Sequence, residues 1–387
     1  MRVVLTGGGT GGHIYPALAI GQEVLAREPG SELLYIGAVR GLESRVVPQR
    51  GIRFEALDVT GFRRSLSWDN VRTVWRFLSG VRRAKKLLGE FKPDIVVGTG
   101  GYVCGPVVYA AARLGIPTLI HEQNVVPGLA NRFLARHVRA VAYSFADSEA
   151  HFRRLTAGRQ QDRGGVRLLH SGNPCASAAA AASADKGFAS LGFPPATPFV
   201  LVVGGSGGAR AVNEAAAAMV PLLDRLPGVR FVFVTGERYY DHISASIGSS
   251  PPAAEGRLKI LPYVHNMPEV LSAASLVVSR AGASFLAEIT AIGVPAILIP
   301  SPNVTGNHQQ PNAESLAREG AAVMILERDL TGEALFGQIA AIMRDPGRRR
   351  AMASACRALG KPEAAALIYE AMRGLVSGSG SSRRKAR

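Results

Sequence analysis

Cysteine, acidic side chains and aromatic rings are scarce in this 387-residue chain, and uninterrupted apolar runs are missing. Its three cysteines, Cys104, Cys175 and Cys356, form no Cys-x-x-Cys pair, which excludes a disulfide framework and a cysteine-rich zinc site and points to a reducing compartment. The uncharged windows 95–112 and 289–307 are broken by Gly98, Gly100, Gly101, Gly105 and Pro106, and by Gly293, Pro295, Pro300 and Pro302, so neither is expected to span a bilayer. At the N-terminus, Gly7 to Gly9 interrupt the apolar start before a signal-peptide core is complete. No two aspartates stand at i and i+2, the histidines have no zinc spacing, and no Gly-x-x-x-x-Gly-Lys-Ser/Thr loop occurs. A metal clamp, a zinc site and a nucleoside triphosphatase are therefore not expected.

What is present is globular: 47% hydrophobic and 19% charged residues, in a chain long enough for two or three domains. The excess of 45 Lys and Arg over 29 Asp and Glu, a net +16, favours an anionic partner. Short apolar runs alternate with helical patterns, the signature of βαβ units and of parallel sheets covered on both faces. The first half predicts five strands, Val3–Leu5, Leu33–Ile36, Ile95–Val97, Thr118–Ile120 and Ala140–Tyr143. The second predicts six, Phe199–Val203, Val229–Val234, Leu258–Leu261, Leu276–Val278, Ala296–Ile299 and Ala322–Ile325. The expected fold class is α/β, with two Rossmann-like domains facing across a cleft. Gly164 to Pro198, with its alanine-rich stretch, is the linker candidate. The expected domains are 1–170 and 171–356, a helix at about 357–375 is available to pack back on the first, and the basic tail 377–387 reads as disordered.

Candidate chemistry lies in the glycine-rich turns. Leu5 to His13 and Val203 to Arg210 each follow a strand and precede a helix, where backbone N–H groups and the helix dipole suit phosphate. The run Gly7 to Gly12 also satisfies the loose dinucleotide pattern, but the strand Leu33–Ile36 ends in Gly37-Ala38-Val39-Arg40 without the acid that a nicotinamide enzyme places there. A third loop, Gly98 to Pro106, contains Gly100, Gly101 and Tyr102, and His121-Glu122-Gln123-Asn124 sits at a strand's carboxyl end. His13 reads equally as a helix-start cap or as a catalytic imidazole. Glu288 is either an acid favoured by the helix dipole or a carboxylate for ribose hydroxyls. Asn307 to Asn312 is amide-rich and suits a sugar, or forms a solvated loop.

The segment 63–86 is basic and amphipathic. Arg63, Arg64, Arg72, Arg76, Arg82, Arg83, Lys85 and Lys86 face only Asp69, while Val71, Val74, Trp75, Leu78 and Val81 recur at helical spacing. The stripe either packs on its own domain or docks on anionic lipid. Nothing resembling a base-stacking platform supports nucleic-acid binding.

Taken together, the motifs Gly-Gly-Thr-Gly-Gly-His at 8–13, Gly-Gly-Tyr-Val-Cys-Gly-Pro at 100–106, His-Glu-Gln-Asn at 121–124, Gly-Asn-Pro at 172–174, Gly-Gly-Ser-Gly-Gly-Ala-Arg at 204–210 and Gln309-Gln310 resemble the MurG family, over nearly the whole chain. The resemblance implies a GT-B fold and an inverting transfer of N-acetylglucosamine from UDP-N-acetylglucosamine to undecaprenyl-diphospho-muramoyl-pentapeptide in peptidoglycan synthesis, without cofactor or metal. It also implies a peripheral place on the cytoplasmic face of the plasma membrane. By it, Ser206 contacts the diphosphate, the backbone near Val264 the uracil, Ala283, Ser284, Phe285, Leu286 and Ala287 the phosphates, Glu288 the ribose, and Gln309 and Gln310 the sugar hydroxyls. Thr10, Gly11, Gly12, His13 and Asn124 close over the transferred sugar; Gly8, Gly9, Gly100, Gly101 and Tyr102 cradle the acceptor's diphosphate. The general base is His13 or Glu122. Two features depart from the family: Cys175-Ala176 stands where an Arg is usual at 176, and Phe285 and Cys104 replace hydroxyl residues.

Overall fold

The computed structural model describes residues 1–60, 69–159, 165–248, 250 and 255–384. The chain divides into two compact units, Met1–Cys175 together with Glu363–Arg387, and Ala176–Pro362. Against the expected limits at 170 and 356, both boundaries run slightly later. Ser171 and Gly172 donate backbone hydrogen bonds to Tyr143 O, and the helix Pro346–Leu359 packs on Ala283–Ile292.

The first unit contains seven parallel strands, β1 (Arg2–Thr6), β2 (Glu32–Ala38), β3 (Arg53–Leu57), β4 (Ile95–Gly98), β5 (Thr118–Glu122), β6 (Ala140–Tyr143) and β7 (Arg167–His170). Their order is β3-β2-β1-β4-β5-β6-β7. The second unit has six, β8 (Phe199–Val203), β9 (Arg230–Val234), β10 (Leu258–Leu261), β11 (Leu276–Ser279), β12 (Ala296–Leu298) and β13 (Ala322–Met324), in the order β10-β9-β8-β11-β12-β13. Both sheets reverse direction once, between β1 and β4 and between β8 and β11, the switch point where open α/β sheets bind ligands. Strands β3 and β7 escape sequence reading because Arg53-Phe54-Glu55-Ala56-Leu57 and Arg167-Leu168-Leu169-His170, partly buried at the sheet edges, carry charged and polar residues instead of a continuous apolar run.

Alternation explains why the central strands are apolar throughout. Val4 and Val96 point into one layer with the helices Asp69–Phe91 and Cys104–Arg113, while Val3, Leu5, Ile95 and Val97 point into the other with the helix Gly11–Arg27. Each fully buried Val or Leu contributes about 1.5–3 kcal/mol.

The last helix, Ala364–Arg384, belongs to the first unit and lies on Gly11–Arg27, burying Ile368, Ala371 and Met372. Its backbone continues through residues 377–384, read from sequence as disordered; a helix already nucleated on the packed turns propagates cheaply. Glu28 pins it. Tyr369 Oη donates to Glu28 Oε1 at 2.8 Å, the Met1 ammonium to Oε2 at 3.1 Å, and Arg373 also pairs with the carboxylate. The Tyr369 hydrogen bond, with the other two donors, holds this carboxyl at about 2, below its ordinary 4.5. Its stabilisation is therefore complete above pH 4.5 and is lost as pH falls towards 2. Glu28→Gln is expected to remove on the order of 1 kcal/mol at pH 7, lowering the first unit's melting midpoint by about 2–4 °C. Calorimetry across pH checks this: the gap between variant and wild type must close between pH 4.5 and 2.

Candidate functional site

In the first unit, the turns after β1 and β4 meet at the switch point. Gly8 N donates to Gly100 O at 3.3 Å, and a Cβ on Gly101, whose φ is +81°, would lie 2.2 Å from Gly8 O. Only glycine permits this approach. Gly8, Gly9, Gly100, Gly101 and Tyr102 are thus brought together, as a Cβ on Gly9 would touch the Tyr102 ring. Sequence reading missed what lies behind them. Buried Glu43 accepts from Gly9 N at 3.1 Å and from Ala38 N at 3.0 Å, so one amide of the first turn is already occupied by a carboxylate. Cys104 joins the two turns: Sγ accepts from Gly100 N and donates to Thr6 O at 3.0 Å, and burial pushes its thiol up to about 12.

The helix Gly11–Arg27 starts without a side-chain cap, leaving its first amides at Gly11 and Gly12 without intrahelical acceptors. His13 lies in this first turn, half-buried, its ring against Gly100. Its Nδ1 lies 3.1 Å from both Thr99 O and Gln123 Oε1, and Thr99 Oγ1 donates to His13 O at 2.6 Å. Gln123 in turn contacts His121, which is fully buried and bonded through Nε2 to Gly172 O at 2.9 Å. Burial drives the His121 imidazole down to about 4, against the opposing pull of that carbonyl.

Glu122 is 1% exposed, and each of its oxygens is doubly engaged. Oε1 accepts from Asn124 N at 3.0 Å and Asn124 Nδ2 at 3.3 Å, and Oε2 from Gly128 N at 3.0 Å and Asn131 Nδ2 at 2.9 Å. The carboxylate folds the loop 123–128 around itself and has no acceptor position left for a substrate proton.

In the second unit, Ser206 is exposed in the turn after β8, which enters the uncapped helix Arg210–Met219. A Cβ on Gly208, φ +72°, would strike Thr235 O. The turn after β11 leads into Ala283–Ile292, where the N-cap Gly282 supplies no side chain, so the amides of Ala283, Ser284 and Phe285 lack intrahelical partners. Leu286 N is taken by Gly282 O, and its side chain, like that of Ala283, is buried; both face the protein interior. The buried Ser284 Oγ has no hydrogen-bond partner among the described residues. Glu288 makes no hydrogen bond or ion pair among the described residues, and burial alone pushes its carboxyl up to about 7. Val264 is buried in the loop after β10. Gln309 Oε1 accepts from Ser301 N at 2.9 Å, whereas Gln310 bridges Asn307 and Glu314. At 176, the small Ala176 side chain is buried.

The helix Asp69–Phe91 splits the expected apolar stripe in two. Val81 packs inward with Ala84, Leu87 and Leu88, and Phe77 stacks edge-on against Phe133 at 6.0 Å, but Trp75 is 74% exposed and Leu78 59%, beside exposed Val74. Val71 and Arg72 lie outside the described side chains, as Arg63 and Arg64 lie outside the described residues. Arg76 and Arg82 are exposed, and Arg83 reaches Glu55 at 3.8 Å. Phe133, against Phe77, and Leu129 on the same helix Leu129–Leu134 add exposed apolar surface; their signal, Val126, Leu129 and Phe133 with only Asn131 and Arg132 polar among residues 126–133, went unread. Among the described residues no helix is long and apolar enough to cross a membrane.

Residues 3–143 match the glycosyltransferase family 28 N-terminal domain and residues 199–368 its C-terminal domain. A UDP-N-acetylglucosamine–N-acetylmuramyl-(pentapeptide) pyrophosphoryl-undecaprenol N-acetylglucosamine transferase of Halalkalibacterium halodurans is 49% identical over 369 residues, covering 95% of this chain and 98% of that protein. The like-named protein of Listeria welshimeri is 45% identical, covering 97% of this chain and 100% of its own. The crystal structure of Acinetobacter baumannii MurG superposes with a TM-score of 0.73 at 27% identity, covering 96% of this chain and 99% of that one. A UDP-GlcNAc 2-epimerase of Neisseria meningitidis shares the fold alone, with a TM-score of 0.66 at 14% identity over 96% of this chain and 99% of its own. Paired parallel sheets with these matches are the GT-B architecture, and the chain belongs to glycosyltransferase family 28, in its MurG branch.

Proposed function

We propose that this protein is an inverting N-acetylglucosaminyltransferase, moving N-acetylglucosamine from UDP-N-acetylglucosamine to undecaprenyl-diphosphate-linked muramoyl-pentapeptide in peptidoglycan synthesis. The observation that carries the donor half is the conjunction of bare amides at 283–285, the unpartnered Ser284 Oγ and the unpartnered Glu288 carboxyl on one helix. Together they fit a nucleoside diphosphate, the amides taking a phosphate and Glu288 the ribose hydroxyls. Ser206 and its turn would add diphosphate donors, the backbone near Val264 would face uracil, and Gln309 and Gln310 the sugar. Leaving-group charge is met by backbone amides and helix dipoles. In the first unit, Gly8, Gly9, Gly100, Gly101 and Tyr102 hold the acceptor's diphosphate, while Thr10, Gly11, Gly12 and Asn124 line the transferred sugar.

His13 is the general base in this reading. Glu122 shapes the loop that presents Asn124, since its four acceptor positions are filled. The exposed Trp75 and Leu78, rimmed by Arg76, Arg82 and Arg83, dock on anionic lipid at the cytoplasmic face of the membrane.

UDP release from UDP-N-acetylglucosamine, with and without the lipid-linked acceptor, tests the reaction: release must depend on the acceptor. His13→Ala is expected to lower turnover by about 10²- to 10⁴-fold; a loss under about threefold removes His13 from the role.

Ribose hydroxyls donate to an ionised carboxylate. UDP affinity is therefore expected to rise with pH as Glu288 ionises near 7 and to level off above it. Calorimetric titration should find that Glu288→Gln binds UDP about tenfold or more weakly and has lost this pH dependence.

For the membrane face, Trp75→Asp with Leu78→Asp should abolish co-sedimentation with anionic vesicles while UDP binding is unchanged; retained sedimentation would place the docking surface elsewhere.

A further inference from the structure

The hydrogen bonds behind His13 settle where protons sit. Gly172 O can only accept, so its 2.9 Å contact puts the proton of neutral His121 on Nε2. Ser144 Oγ, which donates to Glu122 O at 3.1 Å, offers a lone pair to the same nitrogen at 3.5 Å. His121 Nδ1 is then an acceptor, and Gln123 Nε2 donates to it at 3.0 Å. That amide nitrogen also faces Thr99 O at 2.8 Å and His121 O at 3.2 Å. Turned over, the amide would oppose its oxygen to two carbonyls and a ring lone pair, so one orientation is available. Gln123 Oε1 consequently points at His13, 3.1 Å from Nδ1, and Thr99 O stands 3.1 Å from the same atom. Two acceptors on Nδ1 require a proton there and leave the lone pair on Nε2.

We propose that Gln123, its amide oriented by His121, is a positioning residue that holds neutral His13 as the Nδ1–H tautomer and so leaves Nε2 basic towards the acceptor hydroxyl. This rests on His13 being the general base. In the transfer, the hydroxyl O–H bond breaks and an Nε2–H bond forms. The freed oxygen pair attacks the anomeric carbon, and the bond to UDP breaks with its electrons leaving on the diphosphate. The charge gained by the ring is met through Nδ1–H by Gln123 Oε1 and Thr99 O, bonds that strengthen when the donor is cationic. Thr99, Gly100 and Gln123 around the ring are neutral, and His121 is the other ionisable member of the network. Burial holds His121 uncharged down to about pH 4, so the orientation of the amide persists throughout the neutral range.

The test combines a spectroscopic and a kinetic readout. Protein labelled with [15N]histidine, with the His13 signals identified by their loss in His13→Ala, should show the Nδ1–H tautomer above its titration. Gln123→Met should lower kcat at least tenfold, with KM for UDP-N-acetylglucosamine within twofold of wild type, and shift the His13 ring towards a mixture of tautomers. Gln123→Glu places a carboxylate against Nδ1–H and should move the acidic limb of the kcat–pH profile upward by about 1 to 3 units. A wild-type His13 in the Nε2–H form, or a Gln123→Glu profile that coincides with wild type, overturns the proposal. If Gln123→Met does not fold, the wild-type spectrum and Gln123→Glu decide. An active His13→Ala alongside an Nδ1–H ring would instead defeat the base reading and spare the tautomer.

Discussion

Parallel pairing is the constraint on which this molecule depends. Strands that all run one way must be joined by crossovers, so every strand-to-helix turn of a sheet opens on the same edge. In both units the order reverses at the third pair in chain order, between β1 and β4 and between β8 and β11, and the glycine turns stand there. Helices that begin without capping side chains leave amides unsatisfied at those points, a cost that an anionic ligand offsets.

The carboxylates divide by whether their lone pairs are spoken for. Glu43 and Glu122 are buried and consumed by backbone and amide donors of the loops they organise. Glu288, only partly exposed and without such donors among the described residues, has its carboxyl pushed up to about 7 by desolvation. The count of donors already in place separates these carboxylates more than burial does.

Much of the fold was legible because central parallel strands need apolar residues on both faces, as Val3-Val4-Leu5 and Phe199 to Val203 show. The edge strand Arg53–Leu57, interrupted by charge, was lost, whereas the edge strands Leu258–Leu261 and Ala322–Met324 were found. The glycine turns, His13 and the exposed Trp75 were readable as residue types at strand ends or at helical spacing. Gln123 stood inside the polar motif read at 121–124, but its contacts with Thr99 and His13, 24 and 110 residues away, were not readable, nor was the contact of Glu43 with Gly9, 34 residues away; all are made only when the sheet is assembled. The side chain of Leu286 faces inward because a contiguous motif turns every side chain by a fixed angle around the helix, so part of it must be buried.

The distribution of thiols has a practical consequence. Cys104 and Cys356 are sealed in the interior with their ionisation pushed up to about 12, which leaves them nearly inert to alkylating reagents at ordinary pH. Cys175 is only half-buried and stands at the last position of the first unit, next to Ala176 where the second begins. Of the three cysteines Cys175 is therefore the one that a thiol-directed fluorophore or spin label would reach first, beside the point in the sequence where the second unit begins.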